Sequence, residues 1–400
     1  MLVRNFFGLV DLHRDEKFVS LRFRAPFKVI STSAAEGGLR EGLDLVFNHQ
    51  SCEPRFHTMP ALLAAHRKAA RYSAEMMKRH GLAGSRAAGL GTAAEMNNLC
   101  IAEESYRELT VAALATGGVE TNAARAGDPA SYYEYNGAFE KRGGIGPEKP
   151  GTINVIVLVN TPLAEGALVR AVMTATEGKT AALQELSVPS RQSAGLATGT
   201  GTDQIAIAAP VSGAAPLTSA GHHSALGELI GRTVRDAVKQ TLAFQNRLTA
   251  ASQGSVGRLL ERFGMDADGF AAALAEVLPA GVAALAADNR ETIDREPLTV
   301  AGVAALAHVR DQVTWGMLPP LCWREAAVDH GALIASAAAG QPARMADFRE
   351  ALAQAVAETG RDDLPFIAVR AVALGYAEKW RATEAMLAAV AAEESAEAAQ

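Results

Sequence analysis

The chain has 400 residues, 49% of them hydrophobic and 20% charged, with a formal net charge of −6 at neutral pH. That balance excludes a disordered or fibrous protein, leaves room for two or more domains, and lacks the basic field that non-specific nucleic-acid binding requires. Its three cysteines, Cys52, Cys100 and Cys322, are too far apart for a CxxC motif and read as free thiols in a reducing compartment. No signal-like run follows Met1 and no uncharged apolar stretch reaches membrane length, so the default expectation is a cytoplasmic protein without a membrane span.

In chain order, KFVSLRFRA, PFKVISTSA and LDLVFNHQ alternate apolar and polar residues and predict strands. MPALLAAHRKAARYSAEMMKRHGL predicts a helix, with Pro60 near its start and Gly81 near its end. RELTVAALATGG and GTINVIVLVN predict two more strands, the second so continuously apolar that it should be central and buried on both faces. Between them, SYYEYNGAFEKRGGIGPEKP reads as a glycine- and proline-rich loop. A helix over residues 164–186, the strand DQIAIAAP, and a helix N-capped by Ser224 and running to about Leu248 follow. From residue 251 the segments are Ala- and Leu-rich with helical spacing, ending in a tail, ESAEAAQ, expected to fray. The fold predicted is therefore α/β over residues 1–250, a mixed sheet layered with helices, and all-α over 251–400.

Four stretches can carry chemistry. MTATEGKTAAL ends like a nucleotide-binding P-loop, but Met173 stands where the first glycine is needed and the flanks are helical, so that reading fails. On a wheel of about 100° per residue, Lys179 falls in the apolar stripe of Leu168, Val172, Ala175, Leu183 and Leu186. A lysine there must snorkel, find a carboxylate, or serve a function. Gly178 beside it allows close approach of a backbone or a ligand, and Glu177 lies across the helix. GLATGTGTD, residues 195–203, offers N–H and hydroxyl groups suited to a carboxylate, phosphate or oxyanion, or is simply a wide turn. TNAARAGDPA, with Asn122 and Asp128, reads alone as a turn. SAGHHSALGELIG places His222 and His223 before a helix, as base, metal ligand or cap. The remaining histidines show no HxxxH or HExxH spacing, so no dedicated metal centre is expected.

Taken in order, TNAARAGDPA, GTINVIVLVN, GALVRAVMTATEGKTAALQEL, ATGTGTD and GHHSALGELIG resemble the adenosylcobinamide amidohydrolase (CbiZ-type) family, and KVISTSAAEGGL looks like that family's opening strand and glycine turn. The resemblance covers about residues 15–250; the helical region carries no role from it. It implies a corrinoid-salvage hydrolase that cleaves the aminopropanol amide of adenosylcobinamide to give adenosylcobyric acid. The partner is then a small-molecule corrinoid that brings its own cobalt, with no further cofactor required.

On that reading Lys179 supplies charge or acts as base, and Glu177 or His223 activates water or protonates the leaving amine. The groups of Gly199, Thr200, Gly201 and Thr202 stabilise the oxyanion, with Thr198, Thr200 and Thr202 as candidate nucleophiles. Asn122, Asp128 and Asp203 orient these groups or bind corrin amides, and Gly37 and Gly38 join the substrate-binding set. Lys179→Ala should abolish turnover and leave the fold intact. The loop 131–150 is a candidate lid, and the helical region can close over the macrocycle or form a homo-oligomer. His308 reads as structural rather than as a cobalt ligand, and Trp315, Met317, Pro319 and Pro320 as a helix end packed into a core. A non-catalytic corrinoid carrier, or an amidohydrolase for another tetrapyrrole amide, are the competing readings.

Overall fold

A computed structural model describes residues 1–51, 69–142 and 151–398. The chain divides into two compact units, Met1–Ala250 and Ala251–Gln400. The first is α/β, with two mixed sheets and helices in layers, and the second is helical.

In the first unit β1 (Leu2–Phe6), β2 (Val10–Asp15), β3 (Phe18–Phe23), β6 (Leu45–Gln50) and β7 (Ala87–Thr92) form a five-stranded sheet in that order. The second sheet has six strands in the order β5 (Gly38–Glu41), β4 (Phe27–Ser31), β15 (Gln204–Pro210), β13 (Thr152–Val159), β9 (Leu109–Gly118) and β8 (Cys100–Tyr106). Among these strands, β13–β15 and β6–β7 pair in parallel and the other neighbours are antiparallel. All eight residues of β13 are buried, as its almost continuous apolar run predicts for a central strand.

The side chains of β13 divide by the twofold period of a strand. Ile153, Val155, Val157 and Val159 join a core with the helices α2 (Glu165–Glu185) and α3 (Ala225–Asn246), whereas Ile156 and Leu158 pack toward the five-stranded sheet. The outer face of that sheet is covered by α1 (Ala69–Arg79), which sets Met76 and Met77 on Phe18, Leu45 and Phe47. The layers are thus α2 and α3, six strands, five strands, α1. The N-terminal part of the predicted first helix, residues 59–68, lies outside the described residues, as does Cys52. The Ser224 hydroxyl accepts from the Gly227 N–H at 3.1 Å and caps α3 as expected.

Several strands lie outside the segments that the sequence reading assigns to strands. β1, β2, β5, β7 and β8 were not predicted, and the expected loop after residue 130 contains the hairpin β11 (Tyr132–Tyr135) and β12 (Ala138–Lys141). β7 is AAGLGT, whose glycines weaken any strand signal. The second half of that predicted loop, 143–150, lies outside the described residues.

Under α1, the His49 imidazole contacts the Tyr72 hydroxyl, and His80 stacks on Phe18 with ring centroids 4.1 Å apart. Burial, aided by His80, Arg79 and Lys17, pushes the His49 pKa down from 6.5 to about 4. The unfolded chain therefore takes up this proton first, so the contribution is complete above pH 6.5 and is lost as pH falls toward 4. The loss should approach about 3 kcal/mol. Denaturant titrations from pH 7 to 4 on the full chain and on His49→Gln test this; an unchanged slope in the variant would show that other groups carry the acid sensitivity.

The second unit buries its own core, including Phe270, Leu306, Trp323, Ile334, Leu352 and Ile367. Its long helices are Pro297–Thr314, Trp323–Ala339, Met345–Thr359 and Leu364–Ala398, so the tail expected to fray is helical to Ala398. The turn after Thr314 corrects the sequence reading in one respect. Trp315 is 55% and Met317 68% exposed, and it is Trp323 that enters the core. His308 is exposed and pairs with Gln312 one helical turn away. Among the described residues no helix is long and apolar enough to cross a membrane.

Candidate functional site

The crossover from β13 through α2 to β15 builds the site. Lys179 is 6% exposed on the face of α2 that packs over the sheet, where its ammonium forms an ion pair with Asp203 at the entrance to β15. Of the options open to a lysine in an apolar stripe, it takes the carboxylate. Gly178, one residue earlier, meets the other helix: a Cβ there would lie 2.9 Å from the carbonyl oxygen of Gly231 in α3. The close approach that Gly178 permits is therefore that of a backbone.

The Asp203 carboxylate is held from several sides. Oδ1 accepts from the Thr200 hydroxyl at 2.6 Å and from the Ile153 N–H at 2.9 Å, and Oδ2 accepts from the Thr200 N–H at 3.0 Å beside Lys179. With an opposite charge and three further donors, a buried carboxylate is matched rather than stranded. Gly199 fits because it lacks a side chain: a Cβ there would stand 2.4 Å from Asp203 Oδ2 and 2.6 Å from Lys179 Nζ.

The loop GLATGTGTD is thus wrapped around its own aspartate. The N–H of Thr202 is directed to the Thr200 hydroxyl at 3.3 Å, and its hydroxyl donates to the Gly151 carbonyl at 2.7 Å. The Thr200 and Thr202 donors, read from sequence as part of an oxyanion cradle, are engaged by Asp203, Thr200 and Gly151. Two motifs distant in sequence also join here: β10 (Ala123–Ala124) pairs with β14 (Gly199–Thr200). Asn122 donates to the same Gly151 carbonyl as Thr202, and its own Oδ1 is buried without a hydrogen-bond partner among the described residues. The Thr198 carbonyl accepts from the Thr180 hydroxyl of α2, and the Thr198 hydroxyl accepts from the Ala126 N–H.

Asp128 stands one step outside. Burial raises its pKa, but hydrogen bonds from Ser190, Ser193 and the Arg125 N–H outweigh this and hold the carboxyl below its usual range. It braces the turn after Asn122 against Ser190 and Ser193. Glu177 and His223 are exposed, and the Glu177 carboxylate pairs with His222, 2.6 Å away. Two residues apart on a helix point about 200° apart, so Glu177 cannot share the Lys179 face. Gly37 and Gly38 shape the β4–β5 connection, Gly37 packing against the Ser33 carbonyl.

The centre therefore gathers Lys179, Asp203, Thr200, Gly199, Thr202 and Asn122. Sequence reasoning missed Thr152, whose hydroxyl lies 2.6 Å from that of Thr202, and the Gly151 carbonyl that Asn122 and Thr202 share. The signal was present: Gly151 and Thr152 are the small, polar head of a largely apolar strand.

A protein family described as adenosylcobinamide amidohydrolase (CbiZ) matches residues 6–250. An uncharacterized protein of Methanocaldococcus jannaschii, MJ1613, is 37% identical over 182 residues, which are 44% of this chain and 71% of that protein. The crystal structure of the PH0078 protein from Pyrococcus horikoshii aligns over 57% of this chain and 77% of its own, with 11% identity and a TM-score of 0.30.

Proposed function

Since the chain belongs to the adenosylcobinamide amidohydrolase family, we propose that it hydrolyses the amide joining aminopropanol to a propionate arm of adenosylcobinamide, giving adenosylcobyric acid for corrinoid salvage. What supports a hydrolytic centre is the continuous sequence of contacts from the Thr200 hydroxyl to Asp203 to Lys179. A hydroxyl in hydrogen-bond reach of a base, with that base oriented by a third group, is the arrangement of an activated nucleophile.

In this reading the Thr200 oxygen attacks the amide carbon while its proton passes to Asp203. Lys179 fixes the carboxylate and places positive charge beside the developing oxyanion. The proton then goes from Asp203 to the departing aminopropanol, and water hydrolyses the resulting ester. Asn122 Oδ1, a buried acceptor without a partner among the described residues, suits an N–H of the substrate. The reading invokes no cofactor of the protein's own and gives no chemical step to Glu177 or His223.

The test is incubation of the purified chain with adenosylcobinamide, followed by mass analysis. Adenosylcobyric acid and free aminopropanol are expected from the wild type, reduced by about 1000-fold in Thr200→Val and far less in Thr200→Ser. Hydroxylamine should intercept the ester as a hydroxamate. A shifted corrinoid spectrum with no product would replace the hydrolase by a carrier; full activity in Thr200→Val would move the nucleophile to water.

A further inference from the structure

Among the described residues β7 is an edge strand: β6 pairs with one side of it and no strand pairs with the other. An unpaired edge leaves N–H and C=O groups in need of partners. Here side chains from the six-stranded sheet and from its β4–β5 connection supply them. The Ser33 hydroxyl donates to the Gly89 carbonyl at 2.8 Å and accepts from the Gly89 N–H at 3.1 Å. The Gln204 Oε1 accepts from the Gly91 N–H at 3.0 Å, and the Asn154 amide donates to the Gly91 carbonyl at 3.0 Å. Asn154 also donates to Asn48 Oδ1 at 2.9 Å, and Asn48 to the Thr116 hydroxyl at 2.8 Å, all three residues being buried.

Two of these side chains follow the groups that hold the reacting centre. Gln204 is next to Asp203, and Asn154 is next to Ile153, whose N–H binds Asp203 Oδ1. Successive side chains of a strand point to opposite faces. So where Asp203 faces Lys179 on the helix side, Gln204 faces β7 on the other; the same holds for the Ile153 and Asn154 pair. One peptide segment of β7, around Gly91, therefore grips both strand starts from behind.

We propose that Gln204 and Asn154 are positioning residues: by anchoring β15 and β13 to the free edge of β7 at Gly91, they fix the Asp203 carboxylate between Thr200 and Lys179. The kinetic arm of this inference rests on the hydrolysis proposed above; the structural arm does not. Gln204 is the better probe because it is partly exposed, and Gln204→Met keeps its length while removing the acceptor. Gln204→Glu keeps the acceptor and serves as the conservative rescue.

The experiment combines adenosylcobinamide kinetics with amide hydrogen exchange on the full chain. In Gln204→Met, kcat should fall about tenfold with KM within about twofold, because misplacement of a reacting group costs turnover and not binding. The Ile153 and Thr200 amides, both bound to Asp203, should exchange at least about tenfold faster, while Leu21 in β3 keeps its rate. Gln204→Glu should restore both, and Asn154→Leu should repeat the pattern of Gln204→Met. A rise in KM at constant kcat would make Gln204 a substrate contact and overturn the inference. Unchanged exchange at Ile153 and Thr200 would overturn it equally, even if the wild type hydrolyses nothing. Activity lost without rescue by Gln204→Glu, or lost together with protection at Leu21, would reduce both residues to general stability and also overturn it.

Discussion

Replacing Lys179 by methionine is expected to lower adenosylcobinamide hydrolysis at least about 1000-fold and to destabilise the first unit by about 3–5 kcal/mol. The second effect follows from burial: both partners of the Lys179–Asp203 pair are almost wholly inside, with side-chain exposures of 7% and 11%. Removing the ammonium leaves a carboxylate that the Thr200 and Ile153 donors solvate only in part. A lysine variant that kept the fold fully intact, as the sequence alone suggested, is therefore not expected. Adding Asp203→Asn to Lys179→Met removes the stranded charge, so the double variant should regain much of the stability and none of the turnover. Urea titration alongside product analysis separates the two effects. A double variant no more stable than Lys179→Met would mean that the pair is not what the unit depends on.

Gly199→Ala should cost about 100-fold in turnover, since the added methyl would occupy the space in which Lys179 and Asp203 meet. Both neighbours are side-chain ends, so the protein has an escape, and the escape is the diagnostic. Either group can swing aside, which keeps the unit folded but parts ammonium from carboxylate. Gly166→Ala, in the first turn of α2 with open space around the new Cβ, is the control and should behave as wild type. Turnover within a few-fold of wild type for Gly199→Ala would place the reaction elsewhere than at this pair.

The layered α/β architecture, the helical second region and the place of Lys179 in an apolar stripe were legible because each rests on local periodicity. An apolar run as long as GTINVIVLV has few resting places other than a central strand, and a lone lysine in an apolar stripe demands a partner. Its partner was harder to see. Asp203 read as a strand entrance, and only the fold shows that GLATGTGTD curls back to aim the threonine hydroxyl and N–H groups at it. The pairing of Ala123–Ala124 with Gly199–Thr200 links segments some 75 residues apart, and no periodicity reports such a contact. Glu177 stands out in the sequence as a titratable group near Lys179, and His223 as one just before a helix, but helical phase sends Glu177 to solvent and His223 is exposed. β7 was hidden for a different reason: its edge is satisfied by Ser33, Gln204 and Asn154, so its residues need none of the β-branched bulk that marks a strand.

The parallel pairing of β13 with β15 bears on the order in which the molecule assembles. Lys179, Thr200 and Asp203 all belong to one uninterrupted crossover, and the ion pair closes a loop of only 24 residues. β4, which flanks β15 on its other side, comes from the opposite end of the unit, some 175 residues away in sequence. Closing the short loop costs less chain entropy than closing the long one, so the centre can form early and the sheet be completed around it. Substitutions within residues 151–205 should then slow folding, whereas those in β4 and β5 should chiefly hasten unfolding.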